Sequence, residues 1–149
     1  MACQLTETTS TPERFFALLP SGWREGIAPY WPKYAPTARI FTLESGSETL
    51  GGGILFSTPA PDILAYGKEA LYWFDKGYLY IGFLWIVEEH RGKQLGALWL
   101  RKLQERFPGQ KFWLSIDEYG LLPFYERNGF RLVKEIELDT GVEWILQTG

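Results

Sequence analysis

The sequence predicts a mixed α/β domain, on three observations. The nearly continuous apolar run Tyr78–Val87 reads as a central strand, and it leads through a glycine-bearing turn into an amphipathic helix. Two pairs of β-rich runs are joined by short polar turns, one at Ser45-Gly46-Ser47 and one at Thr140-Gly141. Helical and strand patterns also alternate without internal repeats. With 149 residues, 46% of them hydrophobic, the chain is expected to build one core and one domain, residues 1–149.

Taken in order, Thr11-Pro12-Glu13-Arg14 has the form of a helix start, with a hydroxyl, a proline at the first helical position and an early acid; Phe15, Phe16, Leu18 and Leu19 supply its buried side. Trp23–Trp31 is a second short helical stretch closed by Pro29 and Pro32. Ala38–Glu44 and Glu48–Phe56 form a hairpin. Gly51-Gly52-Gly53 lies inside its second arm and Ile54-Leu55-Phe56 continues the strand, so it marks a bulge or a close approach, not a dinucleotide-binding loop. Ser57–Gly77 reads as an insertion carrying a short helix. After the central strand, Leu95, Leu98, Trp99, Leu103 and Phe107 recur at helical spacing until Pro108-Gly109. Phe112–Ile116 is a short buried strand, followed by a helix from about Leu121 to Asn128 and strands at Phe130–Glu137 and Val142–Gln147.

Composition narrows the function classes. The formal charge is −3 with no basic half, which speaks against nucleic acid as a partner. One cysteine, Cys3, and one histidine, His90, exclude an internal disulfide and a multi-ligand Cys/His metal centre. The first residues lack the basic start and apolar stretch of a secretory leader, and Tyr78–Val87 is too short to cross a bilayer as a helix. A cytoplasmic protein without a membrane partner is expected.

The chemistry concentrates in Arg91-Gly92-Lys93-Gln94-Leu95-Gly96. A glycine-bearing turn from strand to helix can point several backbone N–H groups at one phosphate, where the helix dipole adds positive potential. Alone, the hexapeptide can also be an exposed turn with two solvated cations. Downstream, Leu122-Pro123-Phe124-Tyr125-Glu126-Arg127-Asn128-Gly129-Phe130 places a tyrosine shortly before a helix-ending Asn-Gly. Together the two segments resemble the GCN5-related N-acetyltransferase (GNAT) superfamily, whose turn reads Arg or Gln, two residues, Gly, one residue, Gly or Ala. Arg91 and Gly96 match this pattern and Gln94 replaces its first glycine. A side chain there can serve if its φ is negative, though its Cβ crowds the pyrophosphate.

The resemblance implies a central, mostly antiparallel sheet with its fourth and fifth strands splayed apart, flanking helices, and acetyl-CoA as acyl donor. The pantetheine arm would lie between Tyr78–Val87 and Phe112–Ile116. Ile86 and Val87 would offer backbone N–H groups to the thioester carbonyl, and Arg91, Gly92, Lys93, Gln94, Leu95 and Gly96 would hold the pyrophosphate. Phe124-Tyr125 and Gly129-Phe130 match the segment whose tyrosine protonates the departing thiolate, which makes Tyr125 the general-acid candidate. The family often has Asn and Ala where this chain has Glu118 and Leu121, so the helix start is rearranged. No carboxylate occurs from Lys76 to Val87; Glu88 is the base candidate, with Glu89, Asp117 and Glu118 as further acids acting through water.

The expected function is direct acetyl transfer to the amine of a small molecule, in a monomer or homodimer. A non-catalytic acyl-CoA-binding or regulatory domain is the alternative, supported by Gln94 and by the absence of a strand carboxylate. Acylation of aminoacyl-tRNA fits the acidic balance poorly. Trp23, Tyr30, Trp31, Tyr34, Tyr72, Trp73 and Phe74 fall in the segments that the resemblance places on the acceptor side. They form either an aromatic wall or core packing.

Overall fold

The computed structural model describes residues 2–59 and 67–148. Its strands are β1 Gln4–Glu7, β2 Ala38–Ser45, β3 Glu48–Phe56, β4 Leu79–Ile86, β5 Phe112–Ile116, β6 Phe130–Leu138 and β7 Gly141–Thr148. Its helices are α1 Glu13–Phe16, α2 Ser21–Ile27, α3 Trp31–Tyr34, α4 Lys68–Asp75, α5 Leu95–Arg106 and α6 Leu122–Arg127, with 3₁₀ turns beside several of them. The strands form one seven-stranded sheet in the order β1-β2-β3-β4-β5-β7-β6. Every neighbouring pair is antiparallel except β4 with β5.

The sequence pattern did not indicate β1. Gln4-Leu5-Thr6-Glu7 is too short and too polar to show an alternation, and it is extended because it pairs with Phe41–Glu44 on β2. Arg39 donates to the Glu7 carboxylate at 2.8 and 3.1 Å, which holds that carboxyl below its usual range. The helix expected over Trp23–Trp31 is broken: α2 ends at Ile27, a 3₁₀ turn over Ala28–Tyr30 follows, and α3 restarts at Trp31. Pro29 and Pro32 each sit in the first turn of their piece, the one place where a missing N–H costs nothing. Of the helix expected within Ser57–Gly77, Lys68–Asp75 is seen, whereas Leu64 and Ala65 lie outside the described residues.

The glycine run does serve close approach. A Cβ at Gly51 would stand 2.5 Å from the Trp85 carbonyl oxygen, and one at Gly53 would stand 2.7 Å from the Trp99 ring. Trp99, fully buried on α5, lies over Gly53 and donates its indole N–H to the carbonyl of Phe41, the register partner of Gly53, at 3.0 Å. One side chain thus seats α5 on the sheet, and α5 carries the turn at its start.

The sheet opens in the middle. β4 and β5 pair only at Leu79 with Phe112 and Tyr80 with Trp113, beneath the packed rings of Tyr80 and Trp113 at 4.7 Å. Beyond that point β4 bends: the β3–β4 register shifts between Gly52 and Ile54, and Phe83 takes the left-handed φ of 58°. For a bulky residue this costs about 1 kcal/mol, a strain that clusters at functional sites.

Candidate active site

Two adjoining cavities follow from this opening. The first, about 490 Å³, lies in the splay and is lined by Tyr80–Leu84 of β4, Leu114–Asp117, Trp23 and Gly26 of α2, Leu121, Tyr125 and Glu143. The second is a groove of about 1040 Å³ along the start of α5, walled by Ile86, His90, Arg91, Gly92, Gln94–Ala97, Arg101, Gln104, Phe124 and Arg127 of α6, and Asn128 and Gly129 just after it.

The groove has the chemistry of an anion site. Helix α5 has neither a side-chain cap nor an acid in its first turn, and the Leu98 N–H, bonded to the Gln94 carbonyl at 3.0 Å, is its first intrahelical donor. The N–H groups of Leu95, Gly96 and Ala97 are therefore the helix's orphan donors. Gly92 and Gln94 both have left-handed φ, 81° and 60°, which curls the turn. Gln94 thus lacks the negative φ on which its expected substitution for glycine depended, and it lines the groove. Arg91 stacks its guanidinium 4.4 Å over Trp85 and donates to the Ile86 carbonyl at 3.1 Å. His90, bonded to Glu48 at 2.9 Å, fixes the preceding turn to β3. Lys93 does not line the groove; its Nζ lies 3.4 Å from His90 Nδ1. Arg101 and Arg127 do line it and were not singled out from sequence. Ala97, Arg101 and Gln104 follow at i, i+4 and i+7, so the polar face of α5 held a signal for this wall.

Of the two backbone donors expected on β4, one is already engaged: the Val87 N–H donates to the Leu50 carbonyl at 3.0 Å. Alternation along an antiparallel strand then turns the Ile86 N–H to the opposite edge, toward β5.

Tyr125 lies on α6 with its ring against Phe124 and Phe130, centroids 5.0 and 5.7 Å away. Its hydroxyl makes no hydrogen bond among the described residues, and the residue belongs to the wall of the splay cavity. Burial pushes the phenol up to about 12. Glu88 is an exposed residue of the 3₁₀ turn after β4 and lines neither cavity, because that turn carries it away from the splay. Glu89 and Glu118 also fall outside both. The carboxylates that do reach the splay cavity are Asp117 and Glu143, and Glu143, on a strand read only as a strand, gave no sequence signal.

The aromatic wall contracts to one member. Trp31 and Trp73 are 8% and 5% exposed and pack on Phe16 and on Trp113 respectively; Tyr34 is buried against Phe56. Of the expected set only Trp23 lines the splay cavity.

A mostly antiparallel sheet split between a β4 and a β5 that share only their first residue pairs, with an uncapped helix start beside the split, defines a GNAT fold. The profile of the Acetyltransferase (GNAT) family matches residues 8–130, and the chain belongs to that family. No curated protein matches it in sequence. Among solved structures it is similar to an acetyltransferase from Thermus thermophilus (18% identity, 99% and 96% of the two chains covered, TM-score 0.66). Similar too are an aminoglycoside 6'-acetyltransferase type Ii (13%, 99% and 96%, TM-score 0.69) and a GNAT-family acetyltransferase from Elizabethkingia anophelis with acetyl-CoA bound (12%, 98% and 97%, TM-score 0.63).

Proposed function

We propose that this protein is an acetyl-CoA-dependent N-acetyltransferase that transfers acetyl directly to the amine of a small, water-soluble acceptor in the cytoplasm. The observation that carries the reading is Tyr125, whose shielded hydroxyl makes no hydrogen bond among the described residues, in the wall of the splay cavity next to a basic, donor-rich groove. The groove fits coenzyme A: Arg91, Arg101 and Arg127 and the orphan N–H groups of Leu95–Ala97 would hold its phosphates. When bound, the cofactor supplies an acetyl group activated as a thioester.

The chain's own residues divide the remaining work. The bent edge of β4 offers the Ile86 N–H to a carbonyl oxygen, the kind of donor that stabilises developing negative charge. Tyr125 Oη keeps its proton across the physiological range and can release it to a leaving sulfur. A phenol near 12 is a weak acid for an ordinary thiolate, but desolvation in the same cavity also raises the basicity of the thiolate. The acceptor attacks as its neutral amine, and its proton passes to solvent.

Steady-state acetylation of a panel of small amines tests the reading; coenzyme A binding without acetylation of any amine would leave the non-catalytic alternative. Two substitutions test the groove separately. Gly96→Val sets a branched side chain where even a Cβ meets Phe124 at 3.2 Å and where phosphates must come close, and it is expected to weaken coenzyme A binding at least tenfold, about 1.4 kcal/mol, by calorimetry. Gln94→Gly removes a side chain from the groove wall and relieves a left-handed residue. The relief of about 1 kcal/mol is largely offset by the greater unfolded-state freedom of glycine, so tighter coenzyme A binding is expected with little change in thermal stability.

A further inference from the structure

The splay cavity carries charge of one sign. Among the described residues its wall has two carboxylates, Asp117 and Glu143, and no cationic side chain, whereas the adjoining groove has Arg91, Arg101 and Arg127. The two acids are also neighbours. Trp144 pairs with Ile116, the last residue of β5, so one further step of the same register sets Glu143 opposite Asp117. Side chains opposite each other on antiparallel strands have their Cβ atoms about 5 Å apart, and like charges there are destabilising. The same cavity is lined by Tyr125, whose hydroxyl makes no hydrogen bond among the described residues, and by Trp23. The Trp23 indole stays 41% exposed, held edge-on by Phe83 at 6.0 Å and Trp85 at 5.2 Å, and an aromatic ring on a cavity wall attracts cations.

We infer that Asp117 and Glu143 bind an ammonium group of the acceptor, and that this acceptor is a diamine or a larger polyamine. The inference rests on the proposed acetyl transfer. A carboxylate within about 4–6 Å favours the charged form of an amine, and an ammonium nitrogen has no lone pair to attack with. The nitrogen held by Asp117 and Glu143 is therefore not the one acetylated. A second, neutral amine of the same molecule forms the new C–N bond as the thioester C–S bond breaks. The attacking nitrogen gives one proton to solvent, the sulfur receives one from Tyr125, and solvent returns a proton to the Tyr125 phenolate.

The test reads binding independently of turnover. 1,4-Diaminobutane and n-butylamine are titrated calorimetrically into the protein saturated with coenzyme A. The diamine is expected to bind at least tenfold more tightly. Glu143→Gln and Asp117→Asn, each checked by circular dichroism to remain folded, are expected to weaken diamine binding at least tenfold and so to remove that preference. Equal affinity for the two amines, including no detectable binding of either, or a preference that survives both substitutions, overturns the inference. Turnover of the diamine with acetyl-CoA is measured separately: a retained, carboxylate-dependent preference without turnover refutes the acetyltransferase reading and leaves the diamine site standing.

Discussion

Tyr125→Phe is expected to keep the fold and coenzyme A affinity while lowering turnover roughly 10²-fold, about 2.7 kcal/mol, the ordinary loss on removing a general acid. The ring is fixed by Phe124 and Phe130, contacts that phenylalanine retains, and the hydroxyl contributes no hydrogen bond among the described residues to the folded state. Only the hydroxyl, and with it the transferable proton, is lost. The pH profile gives a second check: with the phenol pushed up to about 12, the wild type should show no alkaline loss of rate from Tyr125 below that range. Rate should instead rise with pH as the acceptor amine becomes neutral. A variant that turns over at the wild-type rate, with chemistry limiting, would hand the proton to water.

The largest stability effect is expected at Trp99. Trp99→Ala empties the space over Gly53 and leaves the buried Phe41 carbonyl without its indole donor, for a loss of about 3–5 kcal/mol. In a chain of this size that lowers the melting temperature by roughly 10 °C. Since Trp99 seats the helix that bears the phosphate groove, coenzyme A affinity should fall even where the variant is still folded. A melting temperature within about two degrees of the wild type would mean that α5 is held by other contacts.

Local patterns in the sequence carried most of this architecture. The apolar run of β4, the hairpin of β2 and β3 and the 3.6-residue spacing of α5 each need only neighbouring residues to be read, and the triple glycine was legible as a close approach, though not its partner Trp99. What escaped depends on long-range pairing. Gln4–Glu7 becomes a strand only because β2 offers an edge, and Glu143 becomes a cavity residue only because β7 lies beside β5. Phe83 shows no sign of its left-handed turn, since nothing in a phenylalanine favours one. The motif residues Arg91, Gly92, Gln94 and Gly96 do come together at one groove, and Tyr125 faces the splay. Glu88 could be chosen only by its proximity in sequence, and chain direction after β4 takes it elsewhere.

The narrow junction between β4 and β5 bears on cooperativity. Strands β1–β4 and strands β5–β7 are each tied by long antiparallel ladders, yet they share a ladder only through the pairs Leu79–Phe112 and Tyr80–Trp113. Such a seam divides a sheet into units able to open separately, with local opening free energies below the global one. A ligand lying along the seam binds only when both units are in place, so its binding energy couples them into a single one. Amide hydrogens of β5 and β7 would then exchange through partial opening in the free protein and through global unfolding in the complex, which gives the ligand the standing of a missing strand in the folding equilibrium.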